Sequence, residues 1–207
     1  MIDERWRCFV AVPIGEALRA DLRIAVDAWR GLGTDLRWTD PDGWHVTLAF
    51  LGPIEAASVF RLIERLALVA AEHSAMRFRT GGLGAFPAPA RARVVWYGID
   101  DEHGWLAHLA CDVAAALDLD GTHTFRPHLT LARARRRPVD LRRWLSSVSV
   151  PEGGLEVDRV ALMRSHVSGG PASYETLATV SLYCWPYRRQ VLWPEAGRKV
   201  RSHSYSG

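Results

Sequence analysis

The chain has 207 residues, of which 48% are hydrophobic and 24% charged, as in an ordinary globular protein large enough to bury a core. Its formal net charge of +3 is uneven, because residues 185–207 carry +4 and the preceding 184 carry −1, which excludes a long-range attraction of the main body for nucleic acid. No hydrophobic run approaches the ~20 residues of a membrane-spanning helix, and the amino terminus does not resemble a secretory signal.

Strands and helices alternate along the predicted chain. Short hydrophobic runs bounded by glycine or proline predict strands, and apolar residues that recur every three or four positions predict helices. Strands are predicted at 7–13, 44–50, 76–80, 92–99, 125–133, 155–165 and 173–182. Helices are predicted at 18–29, 59–70, 104–118 and 141–145, and an irregular glycine- and proline-rich loop at 81–91. Neighbouring strands are hairpin-like, so the predicted fold class is α+β with a largely antiparallel sheet.

The chain is predicted to form a single domain over residues 1–184, followed by a basic tail over 185–207 whose last residues are disordered, because hydrophobic periodicity stops there. Three widely spaced cysteines, Cys8, Cys111 and Cys184, argue against a disulfide scaffold and lack the spacing of a zinc or redox motif. We therefore expect a reduced, cytoplasmic protein that acts as a monomer without a membrane partner.

One short pattern occurs twice. The sequences WHVTLAF (44–50) and FRPHLTLAR (125–133) both contain His-x-Thr-Leu-Ala. Because residues i and i+2 of a strand point to the same face, His45 projects with Thr47, and His128 projects with Thr130. A single His-x-Thr match is weak evidence, but a second match followed by the same Leu-Ala pair is not expected by chance. We predict that the two strands bring two imidazoles and two hydroxyls into one cleft.

Two imidazoles beside two hydroxyls suit phosphoryl chemistry. One neutral histidine can accept a proton from the nucleophile while the other, protonated, gives a proton to the leaving oxygen. The threonine hydroxyls can donate hydrogen bonds to non-bridging phosphate oxygens. This chemistry needs no metal and no cofactor, and the other histidines lack the His-x-x-x-His or Glu-x-x-His spacing of a metal site. Since one imidazole must be neutral and one charged, an optimum near neutral pH is expected.

The two motifs resemble the signature of the 2H phosphoesterases, and specifically of the bacterial RNA 2′,3′-cyclic phosphodiesterases, also called 2′-5′ RNA ligase-like proteins. The resemblance extends to RCFVAVP, RVVWYGI and VALMRSH…YETLAT. It implies two pseudo-symmetric lobes of antiparallel sheet with outer helices around a central cleft. The implied site residues are His45 as general acid, His128 as general base, Thr47, Thr130 and Arg133 as phosphate ligands, and Phe50 as the residue that stacks on the nucleobase.

The same resemblance implies a hydrolase that converts RNA 2′,3′-cyclic phosphate ends to 2′-phosphomonoesters without a metal, with reversible 2′-5′ RNA ligation as a further activity of that site. A non-catalytic RNA-binding module and a phosphodiesterase of small cyclic nucleotides are the alternatives. A module that only binds RNA needs no acid–base pair, so the two histidines favour the enzyme.

Phe50 and Arg133 each lie five residues after a motif histidine. Strict alternation along a strand would turn both side chains away from the cleft. For both to reach a ligand, each strand must twist or bulge near its end. The alternative for Phe50 is a place in the hydrophobic core.

Overall fold

The computed structural model describes residues 4–31, 35–119, 125–166 and 172–183. The strands are β1 (Arg5–Pro13), β2 (Leu36–Trp38), β3 (His45–Glu55), β4 (Met76–Phe86), β5 (Val94–Ile99), β6 (His128–Ala134), β7 (Gly153–Val157), β8 (Arg159–His166) and β9 (Ser173–Ser181). The α-helices are α1 (Glu16–Arg30), α2 (Val59–Glu72), α3 (Trp105–Ala116) and α4 (Arg142–Ser147). The predicted tail and Cys184 lie outside the described residues. None of the helices described is both long and apolar enough to cross a membrane.

The described strands form one sheet with the order β7-β4-β5-β6-β3-β1-β8-β9, and β2 pairs with β6. Every strand pair is antiparallel. The two histidine-bearing strands, β3 and β6, meet at the middle of the sheet through one residue pair, Val46 and Leu129. Each of the two strands is followed outward by three further strands. The prediction of an α+β fold with two pseudo-symmetric antiparallel lobes is therefore confirmed.

The hydrophobic core lies between one face of the sheet and the helices. Buried side chains of α1, α2 and α3 join Val46, Leu48, Leu129 and Leu131 of the sheet in one cluster. A second, smaller cluster lies apart from that core and consists of Phe9, Ala11, Ala161 and Met163, with Tyr174 packed against it. Because alternate residues of a strand point to opposite faces, the helices cover one face and leave the other open to a ligand.

The predicted strand at 155–165 is wrong as a single element. Residues 153–157 form β7, which pairs with β4, whereas 159–166 form β8, which pairs with β1 in the other half of the sheet. The two strands are separated by a single residue, Asp158, which belongs to neither. Its carboxylate accepts a 2.7 Å hydrogen bond from Arg159, and its carbonyl accepts one of 2.8 Å from the backbone N–H of Leu182. Because hydrophobic alternation continues on both sides of Asp158, the sequence pattern does not reveal that the strand is interrupted there.

Three further differences concern strand length. β4 continues through residues 81–86 of the predicted loop, because Gly84 leaves room for the indole of Trp96, which any Cβ at that position would overlap. β3 runs on to Glu55, past its predicted end at residue 50. β2 was not predicted, since three residues are too few for a periodic pattern.

Candidate active site

The four motif side chains lie on the open face of the sheet, at the junction of β3 and β6. Val46 and Leu129 pair across this junction, and both side chains are buried toward the helices. Their neighbours in sequence therefore point to the opposite face. His45 and Thr47 of β3 and His128 and Thr130 of β6 flank this pair directly, so they share the open face. The structure thus places two imidazoles and two hydroxyls beside the junction of the two strands.

The Leu-Ala pair that follows each motif forms a β-bulge. In the pairing of β3 with β1, Leu48 is skipped between Thr47 and Ala49. In the pairing of β6 with β5, Leu131 is skipped between Thr130 and Ala132. Leucine and alanine are buried in both strands. The next residue of each strand, Phe50 in β3 and Arg133 in β6, therefore lies on the open face. Both strands thus contain a bulge at the position where one was expected.

Phe50 and Arg133, which lie five residues after the motif histidines, are both accessible to a ligand. Phe50 is 76% exposed, and its ring centroid lies 6.2 Å from that of Phe9 on the open face. The alternative that Phe50 is a core residue is therefore wrong. Arg133 occupies the equivalent place on β6 and is exposed.

Each imidazole is oriented by a backbone carbonyl two residues earlier. The Nδ1 atom of His45 lies 2.7 Å from the oxygen of Gly43, and the Nδ1 atom of His128 lies 2.6 Å from the oxygen of Arg126. A carbonyl oxygen can only accept a hydrogen bond, so Nδ1 carries the proton in both rings. The Nε2 atom of each histidine is left to exchange a proton with a substrate or with water.

Aromatic rings hold each imidazole in place. The ring of His45 lies 4.8 Å from Phe9 and 5.0 Å, edge to face, from Tyr174. The ring of His128 lies 5.1 Å from Phe86 and 6.4 Å from Trp96, again edge to face. These contacts remove water from the imidazoles without supplying a negative charge.

Burial lowers the pKa of both histidines below the ordinary value of 6.5. For His45, the carbonyl of Gly43 partly restores the pKa, and the positive charges of His128 and Arg133 lower it further. For His128, the carbonyl of Arg126 raises the pKa and the charge of Arg133 lowers it. A positive charge on His128 therefore disfavours protonation of His45.

Thr39 is a positioning residue that the sequence did not reveal. Its hydroxyl lies 2.9 Å from the carbonyls of both Thr130 and Leu131, at the bulge of β6. It also accepts a 2.8 Å hydrogen bond from the indole of Trp44, the residue before His45. Thr39 therefore fixes the two motifs relative to each other, through contacts 91 and 5 residues away in sequence.

Arg37 is a second cation on the open face. It is exposed, and β2 pairs it directly with Arg133 of β6. Directly opposed residues of an antiparallel pair point to the same face. Across the described ranges no carboxylate forms an ion pair with either arginine. This pair of uncompensated charges suits a polyanion.

The family model of the 2′-5′ RNA ligase superfamily matches residues 18–169, which include both histidine motifs. The chain belongs to the 2′-5′ RNA ligase superfamily. Among relatives in this superfamily, an RNA 2′,3′-cyclic phosphodiesterase of Aeropyrum pernix is 34% identical over 157 residues, which are 72% of this chain and 87% of that protein. An RNA 2′,3′-cyclic phosphodiesterase of Archaeoglobus fulgidus is 32% identical over 83% of this chain and 97% of its own length.

Solved structures agree with the superfamily assignment. A crystal structure from Thermus thermophilus superposes with a TM-score of 0.69 at 25% identity, covering 85% of this chain and 97% of that chain. The apo crystal structure of E. coli LigT superposes with a TM-score of 0.65 at 25% identity, covering 86% of this chain and 98% of its own.

Proposed function

We propose that the chain is an RNA 2′,3′-cyclic phosphodiesterase that hydrolyses cyclic phosphate ends to 2′-phosphomonoesters, with no metal in the chemical step. The observation that carries the proposal is the convergence of two imidazoles, each with a free Nε2, on the same face as two threonine hydroxyls. The names of the relatives from Aeropyrum pernix and Archaeoglobus fulgidus support the same substrate.

The proposed step is an in-line displacement at phosphorus. Neutral His128 accepts a proton from water through Nε2 as the water oxygen bonds to phosphorus. Protonated His45 gives its Nε2 proton to the 3′ oxygen as the bond from phosphorus to that oxygen breaks. Thr47, Thr130 and Arg133 stabilise the non-bridging oxygens, whose charge changes in the transition state. No covalent enzyme intermediate forms, and the two histidines end in exchanged protonation states.

The asymmetry between the lobes supports this assignment of roles. Phe50 follows the first motif, so a terminal base stacked on its ring sets the ribose on the side of His45. Arg133 follows the second motif, so this cation lies on the strand of His128, the histidine that faces the attacking water in the proposed step. The resemblance to 2H phosphoesterases implies that the 3′ oxygen leaves.

The same site can carry out 2′-5′ RNA ligation, in which a 5′ hydroxyl replaces water as the nucleophile that attacks the cyclic phosphate. A 5′ hydroxyl that takes the place of water loses its proton to His128, and the 3′ oxygen again takes the proton of His45. The two activities therefore need the same side chains and differ only in the nucleophile.

A direct test uses an oligoribonucleotide that ends in a 2′,3′-cyclic phosphate, incubated in EDTA and followed by phosphorus NMR. We expect a 2′-phosphate product. A 3′-phosphate product would overturn the assignment of the leaving oxygen, while leaving the two-histidine mechanism intact. Binding of the oligonucleotide without turnover would identify a non-catalytic RNA-binding module instead.

The rate should depend on pH with a bell-shaped profile. For the free enzyme, this profile should lie at lower pH than unperturbed histidines would give. The profile of kcat/KM reports the free enzyme, in which both histidines have pKa values below 6.5, so its alkaline limb should fall before neutrality. A bound phosphate anion favours the imidazolium, so the profile of kcat should lie at higher pH. The neutral optimum expected from the sequence thus applies to the complex.

The variant Arg133→Gln tests the direction in which a nearby positive charge moves the pH profile. It removes a positive charge that lowers both pKa values, so the kcat/KM profile should move to higher pH. Arg61→Gln, on the exposed surface of α2, is the matched control and should leave the profile in place. The measurement is the steady-state rate of each variant from acid to alkaline pH. An unchanged profile in Arg133→Gln would contradict the conclusion that the charge of Arg133 lowers the two pKa values.

Phe50→Ala should raise KM more than it lowers kcat. Stacking on a base is largely the same in the ground and transition states, and is worth about 1–3 kcal/mol, so we expect KM to rise roughly 5- to 150-fold. Phe60→Ala is a matched control, because Phe60 is 69% exposed on the helical side. Equal KM values for the two variants would exclude Phe50 from base binding.

Arg37→Gln should discriminate RNA ends from small cyclic nucleotides. If Arg37 contacts a phosphate upstream of the cyclic end, the variant should bind an oligonucleotide more weakly, with a salt slope of log KM smaller by about 1. Its KM for a mononucleotide 2′,3′-cyclic phosphate should be unchanged. Identical behaviour on both substrates would favour the small-nucleotide alternative.

A further inference from the structure

A cluster of three potential metal ligands lies away from the cleft. The side chains of His73, His108 and Asp112 each offer one ligand atom, and these three atoms lie within 4.8 Å of one another. His73 follows α2, and the other two belong to α3. These helices pack against the face of the sheet opposite to His45 and His128, so the sheet separates the cluster from the proposed active site.

The backbone holds all three residues in place before any ion binds. His108 and Asp112 are four residues apart on α3, so they share one face of that helix. The carbonyl of His73 accepts a 2.8 Å hydrogen bond from the backbone N–H of Tyr183. The next residue, Ser74, forms a bridge with Tyr183. The third ligand is thereby anchored both to α2 and to Tyr183, which lies two residues beyond β9.

A hydrogen-bonded His–Asp pair accounts for only part of the arrangement. The Nε2 atom of His73 lies 2.8 Å from Oδ2 of Asp112, which is a hydrogen-bond distance. The Nε2 atom of His108 approaches the same oxygen to 3.6 Å, which is too long for one. Ligand atoms around a tetrahedral zinc ion at about 2.0–2.1 Å lie about 3.3 Å apart, between these two values.

The cluster opens onto solvent through a cavity of about 360 Å³. His73 and Asp112 line this cavity together with Glu72, whose carboxylate adds negative charge near its wall. The remaining lining residues, Leu68, Val69 and Ala71, are apolar. The cavity therefore gives an ion a route to His73 and Asp112, and His108 is itself exposed to solvent.

We propose that His73, His108 and Asp112 form a binding site for a divalent transition metal, with Zn²⁺ as the ion that best matches two imidazoles and one carboxylate. Two neutral imidazoles and an ionised carboxylate are ordinary zinc ligands. The bound ion links the end of α2 to the middle of α3 and stabilises the helical layer. It takes no part in the reaction at the cleft.

The test is a zinc titration of the full-length protein after removal of metal by a chelator. Calorimetry should give one strong site, and thermal unfolding should give a Tm higher by about 5–10 °C when free zinc exceeds Kd a hundredfold. Co²⁺ in place of zinc should give the visible absorption of a tetrahedral site. Activity of the metal-free protein should be unaffected.

Matched variants separate metal binding from a hydrogen bond and from other ligands. His108→Ala should abolish the strong site, and His103→Ala, an exposed histidine just before α3, should retain it. His73→Gln preserves a donor to Asp112, so it should keep the Tm of the metal-free protein but lose the zinc response. A full zinc response in His108→Ala or in His73→Gln would overturn the proposal, and so would binding only at millimolar zinc.

Discussion

Replacing either motif histidine by alanine should lower the turnover of a cyclic-phosphate RNA by roughly 10²–10⁴-fold, the usual effect of losing one acid or base. In the proposed mechanism, His45→Ala removes the proton donor to the 3′ oxygen, and His128→Ala removes the acceptor for the proton of water. Both imidazoles are half-buried on the open face and lie outside the core between sheet and helices, so neither change leaves a large cavity in that core. Single-turnover rates on the oligonucleotide give the comparison.

The double variant makes this prediction sharper. If the two histidines act as one unit, His45→Ala combined with His128→Ala should be far less damaging than the product of the two single effects. His103→Ala, an exposed histidine outside the cleft, should have wild-type rates. Near-full activity in His128→Ala would require the paired mechanism to be abandoned.

Loss of a threonine hydroxyl should have the next largest effect. Thr130→Val keeps the shape of the side chain but removes a donor to the phosphate, and we expect kcat to fall roughly 10²–10³-fold. The same change at Thr47 should act similarly, because Thr47 and Thr130 both flank the Val46–Leu129 pair on the open face. KM should change little if the hydrogen bond strengthens mainly in the transition state.

Serine variants provide the control. Thr130→Ser retains the hydroxyl, so it should recover most of the activity that valine loses, although both variants alter the methyl environment of β6. Circular dichroism and thermal unfolding establish that the fold is intact. Equal loss in the serine and valine variants would mean that packing, rather than the hydroxyl, explains the effect.

The fold was predictable where periodicity was long and unbroken. The helices α1, α2 and α3 were predicted within a few residues, because each buries a regular apolar stripe. The break at Asp158 was missed because hydrophobic alternation continues on both sides of it, and only tertiary pairing sends β7 and β8 to different lobes. The extension of β4 was missed because its glycines are typical of a loop, whereas here one of them accommodates Trp96.

The candidate site was predictable from a repeat and from one conflict with strand geometry. Placing Phe50 and Arg133 in the cleft required a bulge, and both bulges are present. Thr39 and Arg37 were not predictable, because their contacts with the second motif are set by the pairing of β2 with β6. His73 and Asp112, 39 residues apart, were likewise brought together by helix packing and not by a local motif.

The carbonyl that orients each imidazole belongs to the main chain, which makes this part of the site resistant to mutation. In a Ser-His-Asp triad the orienting group is a carboxylate that one substitution can remove. Here the residue between carbonyl and histidine sets the geometry: Trp44 has φ −70° and ψ 130°, and Pro127 is restricted to a φ of about −65° by its ring. A neutral carbonyl also stabilises the imidazolium less than a carboxylate does, so each histidine releases its proton more readily. The main chain thus fixes the tautomer of each imidazole without an orienting side chain.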